Sequence, residues 1–168
     1  MARIKDTDYL AISARVRAME TTLMTPERME RLLEALGFRS GANSAYETAG
    51  DLAINENDDR LRLSSQGAVS FHTGGGGRYL ISSQEETPTL PQCVQAAWEL
   101  LDRSSAPWRG EGEYVLTGAE PSEGGWTITF QARLGGVPVL TGGEGWAAQF
   151  VTTGREISAF TLTLRSYA

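Results

Sequence analysis

From Trp126 to Tyr167, apolar and polar residues alternate with a period of two. Trp126, Ile128 and Phe130 alternate with Thr127, Thr129 and Gln131; Trp146, Ala148 and Phe150 alternate with Ala147, Gln149 and Val151; Phe160, Leu162 and Leu164 alternate with Thr161, Thr163 and Arg165. Alternation of this length predicts consecutive antiparallel strands joined by glycine turns, with one face of the sheet needing cover. The cover must come from helices upstream.

Helical spacing is found there. Ile12, Val16, Met19 and Leu23 line one face of a helix over residues 8–23, which Asp6, Thr7 or Asp8 can cap. Thr25-Pro26-Glu27 then reads as an N-cap, a first-turn proline and a first-turn acid, opening a second helix. Its buried stripe is Met29, Leu32, Leu33 and Leu36, and Gly37 stands where a left-handed C-terminal cap is needed.

Residues 39–59 are rich in Ser, Gly, Asn, Asp and Glu, and read as a connection with a short strand at Leu52 to Ile54. Leu61 and Leu63, then Val69 and Phe71, give a hairpin signal; Gly74 to Gly77 reads as a second hairpin turn leading into a short strand at Tyr79 to Ile81. A further helix over residues 91–103 places Val94, Ala97, Trp98 and Leu101 on one face, and Ser104 to Gly112 ends it. Strands resume at Tyr114.

The order of elements is therefore a helix followed by a meander, twice over. The fold class expected is α+β: antiparallel sheet covered by helices, in tandem α-β-β-β units of PepSY-like or cystatin-like shape, preceded by an N-terminal helix. As domains, this gives residues 1–24 as that helix and 25–168 as the body, divisible into units 25–87 and 88–168.

Composition narrows the functional classes. The 168 residues carry a net charge of −6, with acids spread along the chain, so no basic stripe stands ready for a phosphate backbone, and nucleic acid is not an expected partner. No apolar run reaches the length of a membrane span, and the N-terminus lacks a basic region followed by an apolar one. On the chain as given, no signal or anchor is expected.

Candidate chemistry is sparse. Gly74-Gly75-Gly76-Gly77-Arg78 could wrap an anion, but the Lys-Ser or Lys-Thr of a Walker loop does not follow it, and a flexible hairpin tip is the preferred reading. Asn55, Asn57 and Asp59 have the spacing of a calcium loop; Arg60 and Gln66, however, stand where its glycine and bidentate glutamate belong. His72 and Cys93 are the sole residues of their types, too few for a zinc site, and could serve as base and nucleophile only if the fold brought them together. The expectation is no catalytic site, no metal and no cofactor. Trp98, Trp126 and Trp146 fit core-facing positions, whereas Trp108, in Ala-Pro-Trp-Arg-Gly, falls in an expected loop. Trp108 and Arg109 are accordingly the candidate partner-binding residues.

Two stretches resemble known families. Asp8-Tyr9-Leu10-Ala11-Ile12-Ser13-Ala14-Arg15-Val16-Arg17-Ala18-Met19-Glu20, followed by Leu23 and Thr25-Pro26-Glu27, is similar to the start of the funnel-shaped stalk component of V/A-type ATP synthases. That family is all-helical and couples a rotor to a membrane ring. From about Leu32 onward the chain resembles the YycH/YycI family, through Arg60-Leu61-Arg62-Leu63, Gly67-Ala68-Val69-Ser70-Phe71, Ala97-Trp98-Glu99-Leu100-Leu101, and Phe130-Gln131-Ala132-Arg133 leading into Gly136-Val137-Pro138-Val139. The second resemblance implies a non-catalytic, PepSY-like regulator on the extracytoplasmic face of a bacterial membrane. A sensor kinase or related regulator would be its protein partner, with a homodimer as a further expectation. The alternatives are a fragment or fusion related to the ATP synthase stalk, in which case the chain would be largely helical, and a small cystatin-like ligand-binding protein or enzyme. Without an anchor, a cytoplasmic location is the alternative to the extracytoplasmic one.

Overall fold

A computed structural model gives an α+β fold of helices on an antiparallel sheet, and describes residues 26–39, 45–48, 51–64, 67–109, 112–139 and 147–164. The helix expected over residues 8–23 and the core position expected for Trp146 lie outside the described residues.

Helix α1 (Pro26–Leu36) buries Leu32, Leu33 and Leu36 and exposes Glu27, Glu30, Arg31 and Glu34. It ends as its sequence predicts. Gly37 takes a φ of 76°, its N–H donates to the Glu34 carbonyl at 3.1 Å, and the Phe38 N–H donates to the Leu33 carbonyl at 2.8 Å. These two bonds form a Schellman motif, and buried Phe38 and Leu33 supply its apolar contact.

Helix α2 (Leu90–Arg109) opens with a reciprocal capping box: the Thr89 N–H donates to Gln92 Oε1 at 2.9 Å, and the Gln92 N–H to Thr89 Oγ1 at 3.4 Å. It does not stop near Ser104. Ser104 Oγ bonds back to the Leu100 carbonyl at 2.8 Å and is wholly buried, so its hydroxyl is satisfied within the helix and the serine does not end it. Trp108 is therefore on the last turn of α2 and not in the loop expected for it.

Among the described residues nine strands form one sheet: β1 (Ala45–Thr48), β2 (Asp51–Glu56), β3 (Asp59–Leu63), β4 (Ala68–His72), β5 (Gly112–Ser122), β6 (Gly125–Leu134), β7 (Val137–Val139), β8 (Ala148–Thr153) and β9 (Glu156–Thr163). The order is β1-β2-β3-β4-β9-β8-β6-β5, with β7 also paired to β6, and every pairing is antiparallel. The last strand of each half, β4 and β9, meet in the middle. The two expected units thus share one sheet instead of holding separate ones.

Two expectations about residues 39–81 need correction. The polar stretch before residue 59 holds β1 and a β2 longer than its apolar residues suggest, because exposed Asp51 and Asn55 alternate with buried neighbours while Leu52 and Ile54 face inward. Asn57 and Asp58, at φ of 53° and 67°, make the two-residue turn to β3, a conformation these residue types tolerate. The glycines 74–77 do not turn a hairpin. The edge of β4 that such a hairpin would use is taken by β9, and the expected strand at 79–81 is reduced to a single bridge between Leu80 and Glu156.

The register puts one set of side chains under the helices. Leu63, Val69 and Leu162 lie side by side across β3, β4 and β9, as do Leu61, Phe71, Phe160, Phe150 and Ile128 from β3 to β6. Aromatic rings run through this layer: Trp98 of α2 to Phe130 at 6.0 Å, Phe130 to Phe150 at 5.9 Å, Phe150 to Phe160 at 5.6 Å, and Phe160 stacked on Phe71 at 5.1 Å. Each fully buried apolar side chain is worth about 1.5–3 kcal/mol before ordering entropy is subtracted. One core therefore spans both halves of the chain.

Candidate functional site

The same register that buries one face lays out the other. On β2, β3, β4 and β9 the outward positions are Ala53 and Asn55, Arg60 and Arg62, Ser70 and His72, and Ala159 and Thr161. Farther along they are Gln149 and Val151 on β8 and Thr127, Thr129 and Gln131 on β6. This outer face is polar in character and has no helix over it among the described residues.

At its β2–β3–β4 end lies a depression of about 720 Å³ lined by Ala53, Asn55, Arg60 and Arg62, with Asn57 and Asp58 of the β2–β3 turn at its rim. Arg62 also borders a second depression of about 310 Å³, shared with Asp51, Ser70 and Thr161. Arg60 and Arg62 are exposed, and no carboxylate among the described residues pairs with either. Arg60 stands opposite His72 and Arg62 opposite Ser70. The face therefore gathers two arginines and the histidine in a chain that is acidic as a whole.

A different arginine explains why β2 and β3 are held firmly. Asp59 is 2% exposed on the inner side, and accepts from Arg78 Nε at 2.7 Å, from the Gly74 N–H at 2.7 Å and from Thr73 Oγ1 at 3.4 Å. Arg78 also donates through Nη1 to the Gly37 carbonyl at 2.7 Å, pairs through Nη2 with Glu56 at 3.2 Å, and lies 4.0 Å over the Phe38 ring. The α1 C-terminus, the β2–β3 turn and the glycine stretch are thus tied at one guanidinium. Gly74 must be glycine here, since a Cβ would come within 2.5 Å of the Asp58 backbone.

The titration behaviour follows from these contacts. Glu56 is held below the usual carboxylate range, first by the Arg39 N–H that donates to it at 3.1 Å, against burial, which acts the other way, and then by Arg78. Burial alone would lower the pKa of Arg78, but its bonds to Asp59 and Glu56 outweigh this and raise it. Burial pushes the Tyr79 hydroxyl up, and that hydroxyl donates to the Leu36 carbonyl.

The residues singled out in the sequence are not brought together. His72 is exposed on the outer face of β4, while Cys93 is 2% exposed in the helix layer, so the sheet lies between them. Asn55 points outward and Asp59 inward, with the Asp59 carboxylate engaged by Arg78 and Gly74, so a calcium loop does not form. Among the described residues no group of three or more His, Cys, Asp and Glu converges as metal ligands would. No helix among them is long and apolar enough to cross a membrane. Trp108 and Arg109 have helical backbones, and their side chains lie outside the described residues. Missed in the sequence was the Arg60–Arg62 pair as a surface feature, although its signal is simple: arginines alternating with buried leucines at a period of two.

No protein-family profile matches the chain, and no curated protein does. Among solved structures, the cyanobacterial PsbP (CyanoP) from Synechocystis sp. PCC 6803, solved in solution, matches at 13% identity and a TM-score of 0.31, covering 77% of this chain and 86% of that one. A likeness at that score carries no argument.

Proposed function

We propose that the chain is a non-catalytic, protein-binding regulatory module of the YycH/YycI kind, acting on the extracytoplasmic side of a bacterial membrane, with a sensor kinase or an associated regulator as its partner. The observation that carries this reading is the outer face of the sheet, over which no helix lies among the described residues. It is broad, polar and continuous across both halves, which suits docking against another protein better than enclosing a small substrate.

The finer architecture proposed is a tandem of two PepSY-like units. Pairing supports it residue by residue. Leu52, Leu63 and Val69 are joined in series across β2, β3 and β4, and Ile128, Phe150 and Phe160 are joined in the same series across β6, β8 and β9. Ser70 and Thr161, each in the last strand of its unit, sit opposite one another, where a pseudo-two-fold axis would pass. The second unit differs in carrying β7 and the residues up to 147 between the strands that correspond to β2 and β3.

Binding of the whole protein to the extracytoplasmic part of a cell-wall sensor kinase, followed by calorimetry, tests the function. Binding weakened at least tenfold by Gln149→Glu or Thr161→Glu is the expected result. An absence of binding, or binding indifferent to both outer-face changes with the fold intact, would remove the proposal.

A further inference from the structure

We infer that the β2–β3–β4 end of the outer face is the part that selects the partner, and that it takes an acidic, extended polypeptide segment. This rests on the reading of the outer face as a docking surface and adds to it the chemistry of what docks. Charge and spacing together point to that occupant. Arg60 and Arg62 project from alternate positions of one strand, so their stems are about 7 Å apart. Alternate residues of an extended segment are spaced in the same way, and two of its carboxylates would each meet one guanidinium in a charge-assisted, two-pronged bond.

The surroundings favour this occupant over others. Both guanidiniums lack a carboxylate partner among the described residues, whereas Arg78 on the inner side is fully engaged, so the outer pair is available to a ligand. His72, opposite Arg60, adds no negative charge, and Ser70 and Thr161 beside Arg62 offer hydroxyls for the segment's backbone. Asp58 at the rim of the larger depression and Asp51 in the smaller one bound the cationic strip on either side. A ligand with a short run of negative charge fits between them. A nucleic-acid backbone, whose charge continues past both ends, meets those aspartates and a chain of net charge −6.

The test uses the full chain, isotope-labelled, and three probes: a peptide alternating Glu with Val, its Gln-for-Glu counterpart, and a single-stranded oligodeoxynucleotide. NMR shift mapping at low salt and again at roughly 0.3 M, where screening shortens the reach of exposed charges, reads both affinity and location. The Glu peptide is expected to shift β2, β3 and β4 amides, to bind at least tenfold more tightly than the Gln peptide, and to weaken with salt. Arg60→Gln combined with Arg62→Gln should remove that preference, while Arg31→Gln, on the exposed side of α1, should not. A circular dichroism spectrum unchanged by the double substitution establishes that the fold survives, and the single substitutions serve if it does not. Equal binding of the Glu and Gln peptides on this face would overturn the acidic selection and leave the docking surface standing. Shifts confined to the helix side, or none with the Glu peptide, would sink both, and tighter binding of the oligonucleotide would replace the partner class.

Discussion

Asp59 is the residue whose loss should be felt most widely, because its carboxylate holds Thr73, Gly74 and Arg78 against β3, and Arg78 in turn ties the end of α1 and Glu56. Replacing it with Asn leaves Arg78 without its main counter-charge at a site where both side chains are mostly out of water, at 3% and 13% exposure. Breaking a pair so placed costs about 3–5 kcal/mol. Urea denaturation of Asp59→Asn should show a loss of that order, and a loss under ~1 kcal/mol, the range of surface pairs, would mean that the tie is slack. Two pH effects belong to the same cluster. Glu56 has a lowered folded-state pKa, so its contribution is complete above its ordinary value of 4.5 and disappears as pH falls through the folded value. Tyr79 has a raised one, so its contribution is complete below its ordinary value of 10.0 and declines as pH rises beyond that. Thermal melts from pH 3 to 11, limits chosen roughly to bracket those values, should fall off at both ends; Glu56→Gln should flatten the acid limb and Tyr79→Phe the alkaline one. None of this was legible in the sequence. Asp59 and Arg78 are 19 positions apart across a glycine stretch, and only the fold of that stretch back onto the β2–β3 turn makes them neighbours.

Elements were far more legible than contacts. The alternations at Trp126 to Gln131 and Phe160 to Leu164 mark β6 and β9, and the Leu32, Leu33, Leu36 stripe with Gly37 marks α1 and its cap, because period and capping chemistry are local properties. β1 was hidden by its composition, and the end of α2 by two serines and a proline that read as breakers. Strand ends also carry constraints that no pattern shows. Gly125 begins β6 pressed against the neighbouring hairpin, and a Cβ there would come within 2.0 Å of the Thr152 carbonyl oxygen. Thr152 is wholly buried, and its hydroxyl accepts from the Trp126 N–H at 3.0 Å. Gly125→Ala should therefore push β6 off β8 and cost about 2 kcal/mol or more, within the upper part of the range for single substitutions. Ala at Gly135, whose Cβ would meet nothing within 4 Å, should cost less, the strain of its positive φ being the only penalty. Comparing the two midpoints in guanidinium chloride checks the ranking.

At the scale of the molecule, the buried layer among the described residues draws on both halves of the chain, from Leu32 to Leu164. A chain beginning at Thr25 should therefore remain folded, with a modest loss of stability in thermal denaturation; complete unfolding of that truncation would make residues 1–24 part of the core. The candidate site was legible at this scale only as a class. Alternating strands imply a two-faced sheet, and Trp108 stands out as an aromatic in an expected loop, while the face left without a helix among the described residues depends on which side of the sheet α1 and α2 choose.

The central β4–β9 pairing also sets the order in which the protein can be made. During synthesis β4 emerges with Ser70 and its neighbours offering an unpaired edge, and the strand that must cover it follows only after α2 and β5 to β8 have been made. Until then strands β1 to β4 are a half-sheet with an open apolar-backed margin, the kind of edge that recruits strands from other chains. Because so distant a pairing must close before the core is complete, refolding should be slow for a domain of this size, on the order of milliseconds to seconds. A nascent chain arrested before β9 is expected to need a chaperone, or a second nascent chain, to stay in solution.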